Sequence, residues 1–361
     1  MWPDRRVMDM LGLEVPIVQA PMAGATGAAM AVAVSEAGGL GSLPCAMLSV
    51  EQTRGELRAI RAQTSRPINV NFFCHRPPHD DPARRTAWNA RLLGYYAELG
   101  LDPDAAASGP DRAPFDEAMC DVIAEVAPEV VSFHFGMPAR HLVARVKQAG
   151  ARVLSSATSV EEARWLEGEG CDAIIAQGCE AGGHQAMFLN DDPARQIGTM
   201  ALVPQIADAV SVPVIASGGI ADGRGIAAAF ALGASAVQMG TAYLRCPEAT
   251  ISAIHRYALA HATDNASVLT NVFTGRPARG IVNRIVRELG PMSDAAPEFP
   301  LAMAAVMPLR AQAEAAGSSD FSPLWSGQAA PLAREMPAGD LTRHLAEAAL
   351  AHLRRLAGTA L

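Results

Sequence analysis

Short apolar and β-branched runs alternate with longer helical patterns between residues 15 and 239. Strands that are separated by helices pair in parallel, and buried parallel strands are apolar on both faces, as these runs are. Eight runs are candidate strands: Val15 to Gln19, Gly39 to Leu43, Ile68 to Phe73, Val130 to Phe133, Arg152 to Ser155, Ala173 to Ala176, Val212 to Ala216 and Ala236 to Met239. Eight βα units close into a TIM (β/α)8 barrel, so the sequence predicts an α/β fold of this kind.

The segments between the candidate strands have apolar residues at helical spacing. The predicted helices are Gly27 to Ala37, Val50 to Gln63, Pro138 to Ala149, Val160 to Glu169, Met200 to Ala209 and Gly223 to Leu232. The alternation is interrupted between His75 and Phe115, where Arg76-Pro77-Pro78 and Ser108-Gly109-Pro110 flank a predicted helix from Pro82 to Leu99.

The same patterns predict how the chain divides into domains. We expect residues 1–245 to form the barrel, with a helical insertion after strand three at about 75–115. After Cys246 the alternation stops, and helical patterns with scattered prolines continue to the C-terminus. Residues 246–361 are therefore expected to form a helical extension that covers the mouth of the barrel.

Composition excludes several classes of partner. The formal net charge of -8 and the pI near 5.6 disfavour nucleic acids and anionic lipid surfaces, which need clustered cations. A polar N-terminus and the lack of any long apolar run disfavour export and membrane insertion. The six cysteines have no zinc-binding spacing, so we expect no metal and reduced thiols in a cytoplasmic protein. A small-molecule substrate and a monomer or homodimer are expected.

Two glycine turns follow predicted strands seven and eight, where TIM barrels commonly bind phosphate. Ser217-Gly218-Gly219 ends strand seven, and Gly240-Thr241 ends strand eight. Their backbone NH groups, the two hydroxyls and a nearby helix N-terminus can bind a phosphate dianion. The alternative is that these glycines only make tight turns.

Further polar and small residues end other strands at the same edge. Pro21, Met22 and Ala23 follow strand one, where small or rigid residues let the backbone lie against a ring system. Asn71 on strand three and Gln177 at the end of strand six carry amides that can bond the polar edge of a heterocycle. For both amides the alternative is a core side chain with internal hydrogen bonds.

His184 is the candidate acid or base, because it directly follows Gly182-Gly183 in the loop after strand six. An imidazole near its ordinary pKa moves a proton at neutral pH, and the glycines let the backbone approach a ligand closely. The alternative is an ordinary surface histidine. Of its neighbours, Glu180 is interpreted as a solvated loop charge and Cys179 as a packed thiol.

These separated motifs, taken in order, resemble the nitronate monooxygenase family, and specifically its class I members. The resemblance covers Val15 to Leu244, and the tail Leu324 to Ala330 is also similar. It implies oxidation of alkyl nitronates, and of nitroalkanes, with O2 to a carbonyl compound and nitrite, with FMN as the cofactor and His184 as the catalytic base. The implied FMN contacts are Pro21, Met22, Ala23, Asn71, Gln177, Gly182, Gly219, Gln238, Met239, Gly240 and Thr241. Three neighbours in the glycine-containing loops are candidate contacts as well: Gly183, Ser217 and Gly218.

Three alternatives stay open at the level of sequence. An FMN-dependent enoyl-acyl-carrier-protein reductase, or another flavin reductase using NAD(P)H, shares the barrel and the Gly-Gly-His loop. A flavin- or phosphate-binding barrel without turnover would keep the glycine turns. A flavin-free aldolase would need a lysine at a strand end, but Lys147, the only lysine, lies in a predicted helix.

The sequence departs from the family it resembles in one respect. Class I enzymes tend to place tyrosines around the substrate, and this chain has only four tyrosines.

Overall fold

A computed structural model of the chain describes residues 1–104 and 113–358. The predicted turn Ser108-Gly109-Pro110 lies outside these residues. The strands are β1 (Ile17–Gln19), β2 (Gly41–Pro44), β3 (Ile68–Phe73), β4 (Val130–His134), β5 (Arg152–Ala157), β6 (Ala173–Gln177), β7 (Gly183–His184), β8 (Val214–Ser217), β9 (Ala236–Met239), β10 (Ser267–Thr270) and β11 (Ala278–Ile281).

Eight of these strands pair in parallel, in the order β1-β9-β8-β6-β5-β4-β3-β2. Leu40, immediately before β2, closes the ring, since its NH donates to Ile17 O and its carbonyl accepts from Gln19 N, both at 2.9 Å. The predicted α/β TIM barrel is therefore confirmed, with strand ends shifted by up to two residues.

The helices are α1 (Arg6–Leu11), α2 (Ala28–Glu36), α3 (Val50–Arg61), α4 (Pro82–Glu98), α5 (Glu117–Val126), α6 (Arg140–Gln148), α7 (Val160–Gly168), α8 (Thr199–Ala207), α9 (Gly223–Ala231), α10 (Ala253–Ala260), α11 (Arg284–Leu289), α12 (Met303–Ala315) and α13 (Ala338–Leu356). Side chains fix several helix starts. Ser49 and Gln52 form a capping box at α3, and Ser159 caps α7. Two helices were not predicted: α1, and α5 on the barrel wall between the insertion and β4.

The last helix completes the outer ring of the barrel. α13 packs against α9 and α2, and the Thr342 hydroxyl lies 2.8 Å from the Tyr243 hydroxyl. A Cβ on Gly223 would lie 2.6 Å from the main chain at Ala348, so only glycine allows this approach. The sequence predicted that the whole C-terminal region covers the mouth. This prediction is wrong for α13, which packs on the barrel wall as the eighth barrel helix although the extension separates it in sequence from β9.

A second hydrophobic core lies above the barrel mouth. Insertion helix α4 contributes Trp88 and Tyr96, which donate to the carbonyls of Ala302 and Ala305 at 3.2 and 2.7 Å. These contacts join the insertion to α12. The expected all-helical extension is also wrong in part, because β10 and β11 form an antiparallel pair that continues onto β7. Where the two domains divide stays a prediction.

No helix in the described residues is both long and apolar enough to cross a membrane. All six cysteines have free thiols. Burial raises the pKa of the Cys45 thiol to about 12, so it packs as a neutral side chain.

Candidate active site

A cavity of about 680 Å³ opens at the carboxyl ends of the barrel strands, beneath the second core. Of the residues predicted for the site, all except Met239 line this cavity. Met239 is buried in the barrel core, because alternation along β9 turns Gln238 towards the cavity and the next side chain away. The shared location supports the predicted site, while the role of each residue stays a prediction.

His184 is held through its backbone on a two-residue strand. β7 pairs with β11, so that His184 is opposite Ala278. The His184 carbonyl accepts hydrogen bonds from His134 Nε2 and from Gln177 Nε2, each at 3.2 Å. These contacts fix the loop after β6 and direct the imidazole into the cavity.

The imidazole of His184 forms a hydrogen bond with a residue of the extension. Its Nε2 lies 2.9 Å from the hydroxyl of Thr274. Because a hydroxyl both donates and accepts, this contact is compatible with either tautomer of a neutral ring. Thr274 therefore orients the ring without fixing its charge.

His134 stays neutral beside this loop. Burial, with a contribution from nearby Arg276, lowers the pKa of His134 to about 4. A neutral His134 that donates from Nε2 to the His184 carbonyl has Nδ1 as acceptor, and Ser156 Oγ lies 3.4 Å from it. His134 thus supports the loop and adds no charge to the cavity.

The first glycine turn has a conformation that only glycine adopts easily, whereas Gly240 in the second turn has a φ of -108°. Gly218 and Gly219 have φ values of 109° and 68°, and Ser217 lines the cavity next to them. The N-terminus of α9 is less available than the sequence suggested, because Asp222 accepts from the NH groups of Arg224 and Gly225. An anion at these turns would rely on the turns themselves and on the uncapped 3-10 helix that begins at Thr241.

The three predicted amides differ in what they bond. Asn71 Nδ2 donates to Ser132 O and Oγ at 3.2 and 2.9 Å. Both polar atoms of the Gln177 amide are engaged, since its Nε2 donates to His184 O and its Oε1 accepts from Ala186 N at 2.7 Å. Gln238 is 9% exposed, and its Oε1 has no protein partner among the described residues. A buried acceptor of this kind, aimed into a cavity, indicates a ligand with a polar edge.

The C-terminal segment around Gly327 closes one side of the cavity. Gly327 N donates to Thr241 Oγ1 at 2.9 Å, and Gln328 N donates to Glu180 O at 3.0 Å. A Cβ on Gly182 would lie 2.4 Å from Gly327 N. Gly182 therefore allows close packing of this segment on the loop that carries His184.

Glu180 has a structural role, which corrects its interpretation as a solvated charge. Its carboxylate accepts hydrogen bonds from Thr199 N at 2.9 Å and from Thr199 Oγ1 at 2.9 Å, and so caps α8. Cys179 is half-buried, and its pKa is raised mainly by burial; its interpretation as a packed thiol stays a prediction.

Sequence reasoning missed the residues that reach the cavity from outside the barrel strands. Phe273 and Thr274 precede β11, Met303 and Met307 lie on α12, and Trp325 lies in the tail. Nothing local marks these positions, because they reach the site through tertiary packing. His134 had a usable signal, since it ends a barrel strand at the edge where the other site residues lie.

The chain matches a known protein family over nearly its whole length. The family model described as nitronate monooxygenase matches residues 4–348. The chain belongs to the nitronate monooxygenase family. A nitronate monooxygenase of Pseudomonas aeruginosa is 44% identical over 344 residues, covering 95% of this chain and 98% of the relative. This membership confirms the resemblance seen in the sequence, and it makes the chain an oxidoreductase.

Solved structures agree with the family assignment. A nitroalkane oxidase from Streptomyces ansochromogenes superposes with a TM-score of 0.87 at 40% identity, covering 98% of this chain and 99% of that chain. FabK from Thermotoga maritima superposes with a TM-score of 0.75 at 29% identity, with 99% of each chain covered. Both matches span nearly the full length of each chain, and so include the barrel and the C-terminal extension.

Proposed function

We propose that this member of the nitronate monooxygenase family oxidises alkyl nitronates, and neutral nitroalkanes, with O2 to a carbonyl compound and nitrite. One observation carries the proposal: His184, oriented by Thr274 at 2.9 Å, lines the same cavity as the glycine turns and the orphaned amide of Gln238. Family membership supports the reaction, and the cavity supports a site in which a proton acceptor and a cofactor meet.

We further propose FMN as the cofactor, because the residues present fit it. Ser217, the two following glycines and Gly240-Thr241 would hold its phosphate, because neutral NH and hydroxyl donors suit an anion. Gln238 and Asn71 would bond the polar edge of its ring. Pro21, Met22 and Ala23 would lie against the ring face. Bound FMN supplies the redox chemistry, since the side chains here carry no electron acceptor.

The protein's own residues manage the proton and the water. Neutral His184 removes the acidic α-proton of a nitroalkane, and protonated His184 attracts a nitronate anion. Thr274 keeps the ring in place in both forms. Phe73 and Trp325, whose rings lie 6.5 and 5.4 Å from that of His184, exclude water from the reacting carbon.

The proposal is tested on purified protein in two steps. An absorbance spectrum, followed by identification of the chromophore released on denaturation, tests FMN. Nitrite release from nitroethane and from its nitronate under air tests the reaction, and an anaerobic assay with NADH and a crotonyl thioester is the reductase control. Yellow protein that releases nitrite is expected. Colourless protein, or NADH oxidation without any nitrite, would overturn the proposal.

A further inference from the structure

We propose that Arg276, together with Glu162, positions His184 for proton removal by holding residues 185–189, which directly follow it in the chain. Glu162 lies on α7 of the barrel, and Arg276 lies in the extension just before β11. The pair Glu162 and Arg276 is called the loop clamp below. The inference rests on the proposed function, since it assigns a positioning role at the same site, but part of its test needs no turnover.

Glu162 holds this segment from the barrel side. Its side chain is buried, and its Oε1 accepts hydrogen bonds from Phe188 N at 2.7 Å and from Leu189 N at 3.1 Å. Its Oε2 accepts from the NH and the hydroxyl of Thr158, immediately after β5, at 2.7 and 2.8 Å. Both carboxylate oxygens are therefore engaged, and they tie the segment after His184 to the barrel wall.

Arg276 holds the same segment from the side of the extension. Its Nη2 donates to the carbonyl of Met187, and its Cζ lies 4.0 Å from the centre of the Phe135 ring. The Phe135 ring in turn lies 6.0 Å from the ring of His184. The guanidinium therefore contacts both the segment that follows His184 and a ring that lies beside the imidazole.

The main chain at Arg276 reaches His184 by a second route. The Thr274 hydroxyl, which lies 2.9 Å from His184 Nε2, also donates to the Arg276 carbonyl at 3.4 Å. The next residue, Pro277, accepts from Gln185 N at 2.9 Å. Because these contacts lie on one short turn, fixing the side chain of Arg276 also fixes the turn that presents Thr274 to the imidazole.

The surroundings of Arg276 are costly for the fold. Burial lowers the pKa of its guanidinium to about 10, so it stays charged at neutral pH. Glu162 and Asp191 favour its charge through space, without a hydrogen bond to it in the described residues. Phe135 has a φ of 71°, in the left-handed region that a bulky side chain rarely adopts. A charge withdrawn from water beside a strained residue is typical of functional sites.

The loop clamp should matter most for substrates that must lose a proton. A base that is misplaced by a fraction of an ångström to 1 Å loses much of its effect, because proton transfer needs hydrogen-bond geometry. A preformed nitronate has no such proton, so its turnover depends much less on where the His184 ring lies. Loss of the loop clamp is therefore expected in kcat for neutral nitroalkanes.

Arg276→Met tests the loop clamp, because methionine has a similar shape but neither the charge nor the donors. It should lower kcat for nitrite release from neutral nitroethane by about tenfold, with KM and the turnover of preformed nitronate changed by less than about twofold. Arg276→Lys, which keeps the charge and a donor for the Met187 carbonyl, should recover part of the loss. Arg343→Met is the matched control, since Arg343 is exposed on α13 and pairs with Asp340 at 2.7 Å; it should match the wild type.

Two measurements distinguish positioning from general support of the fold. Amide hydrogen exchange, followed by mass spectrometry, should be at least about tenfold faster in residues 185–189 of Arg276→Met and unchanged in the barrel strands. In a His184→Asn background, Arg276→Met should lower nitroethane turnover by less than about twofold further, because no imidazole is left to position. If Arg276→Met fails to fold, Glu162→Gln replaces it, since it keeps the shape of the side chain and exchanges one acceptor for a donor; the same results are expected.

The outcomes separate the two proposals. If the wild type releases no nitrite, the proposed function fails, and the role in proton removal fails with it. If the wild type releases nitrite but the folded variant matches it with nitroethane, or loses both substrates equally, the positioning role is overturned while the function stands. A full additional loss in the His184→Asn background, or unchanged exchange in residues 185–189, would equally overturn the loop clamp.

Discussion

Replacing Gly182 by alanine should loosen the closure of the site by the C-terminal segment. The new Cβ would lie 2.4 Å from Gly327 N and 2.7 Å from the Ser326 carbonyl carbon. Both contacts are main chain, so the segment must retreat by about 1 Å to reach the 3.4 Å at which ordinary contact begins. That shift breaks the hydrogen bond from Gly327 N to Thr241 Oγ1.

The expected cost follows from these two effects. Overpacking against a backbone costs about 1 to 3 kcal/mol, and the lost hydrogen bond costs about 0.5 to 1.5 kcal/mol. Gly182→Ala should therefore lower the free energy of unfolding by about 2 to 4 kcal/mol, measured by urea denaturation of the purified protein. Since Thr241 lies at the proposed phosphate site, the Kd for FMN should rise at least about tenfold, measured by flavin fluorescence.

Gly94→Ala is the control for this prediction. Gly94 lies inside α4, and a Cβ there meets nothing within 4 Å. Alanine in a helix interior should stabilise by about 0.5 to 1 kcal/mol and leave FMN binding unchanged. The reasoning is refuted if Gly182→Ala unfolds at the urea concentration of the wild type and retains its flavin equally well.

Three further predictions concern the proton acceptor and its supports. Thr274→Val removes the hydroxyl 2.9 Å from His184 Nε2 and should lower kcat for nitroethane by about twofold to tenfold with little change in KM; equal kinetics in the two proteins would exclude an orienting role. Glu180→Ala removes the cap of α8 and should cost about 1 to 2 kcal/mol in urea denaturation, whereas Glu161→Ala, exposed on α7, should cost less than about 0.5 kcal/mol. The folded pKa of His134 lies below its unfolded value, so its neutral form stabilises the fold above about pH 6.5, and this contribution is lost as pH falls towards 4. Denaturation at several pH values should show a shallower acid dependence for His134→Gln, and an identical slope would contradict the assigned burial.

The barrel could be predicted because its pattern is local. Each run such as Ile68–Phe73 is short, apolar and followed by a helical pattern, and eight repeats leave few alternatives. The extension was harder to predict, because its strands and helices are stabilised by residues distant in the sequence. β10 and β11 are short strands stabilised by each other and by β7. The sequence of α13 predicts an amphipathic helix, but only the structure shows that this helix packs against α2 and α9.

The site was predicted where it follows the strand ends and missed elsewhere. His184, Gln238 and the glycine turns follow strands whose carboxyl ends must converge, so sequence order alone brings them together. Thr274 lies 90 residues beyond His184, and no spacing rule connects the two. Met239 shows the opposite error, because its neighbours in the motif line the cavity while strand alternation turns its side chain into the core.

Comparison of nitroethane with its preformed nitronate in His184→Asn tests the central claim most directly. Asparagine cannot accept the α-proton, so nitrite release from neutral nitroethane should fall by about 10² to 10⁴-fold, while the protein keeps one FMN per chain. The preformed nitronate needs no proton removal and should lose much less. Undiminished turnover of neutral nitroethane in the flavin-loaded variant would contradict the account.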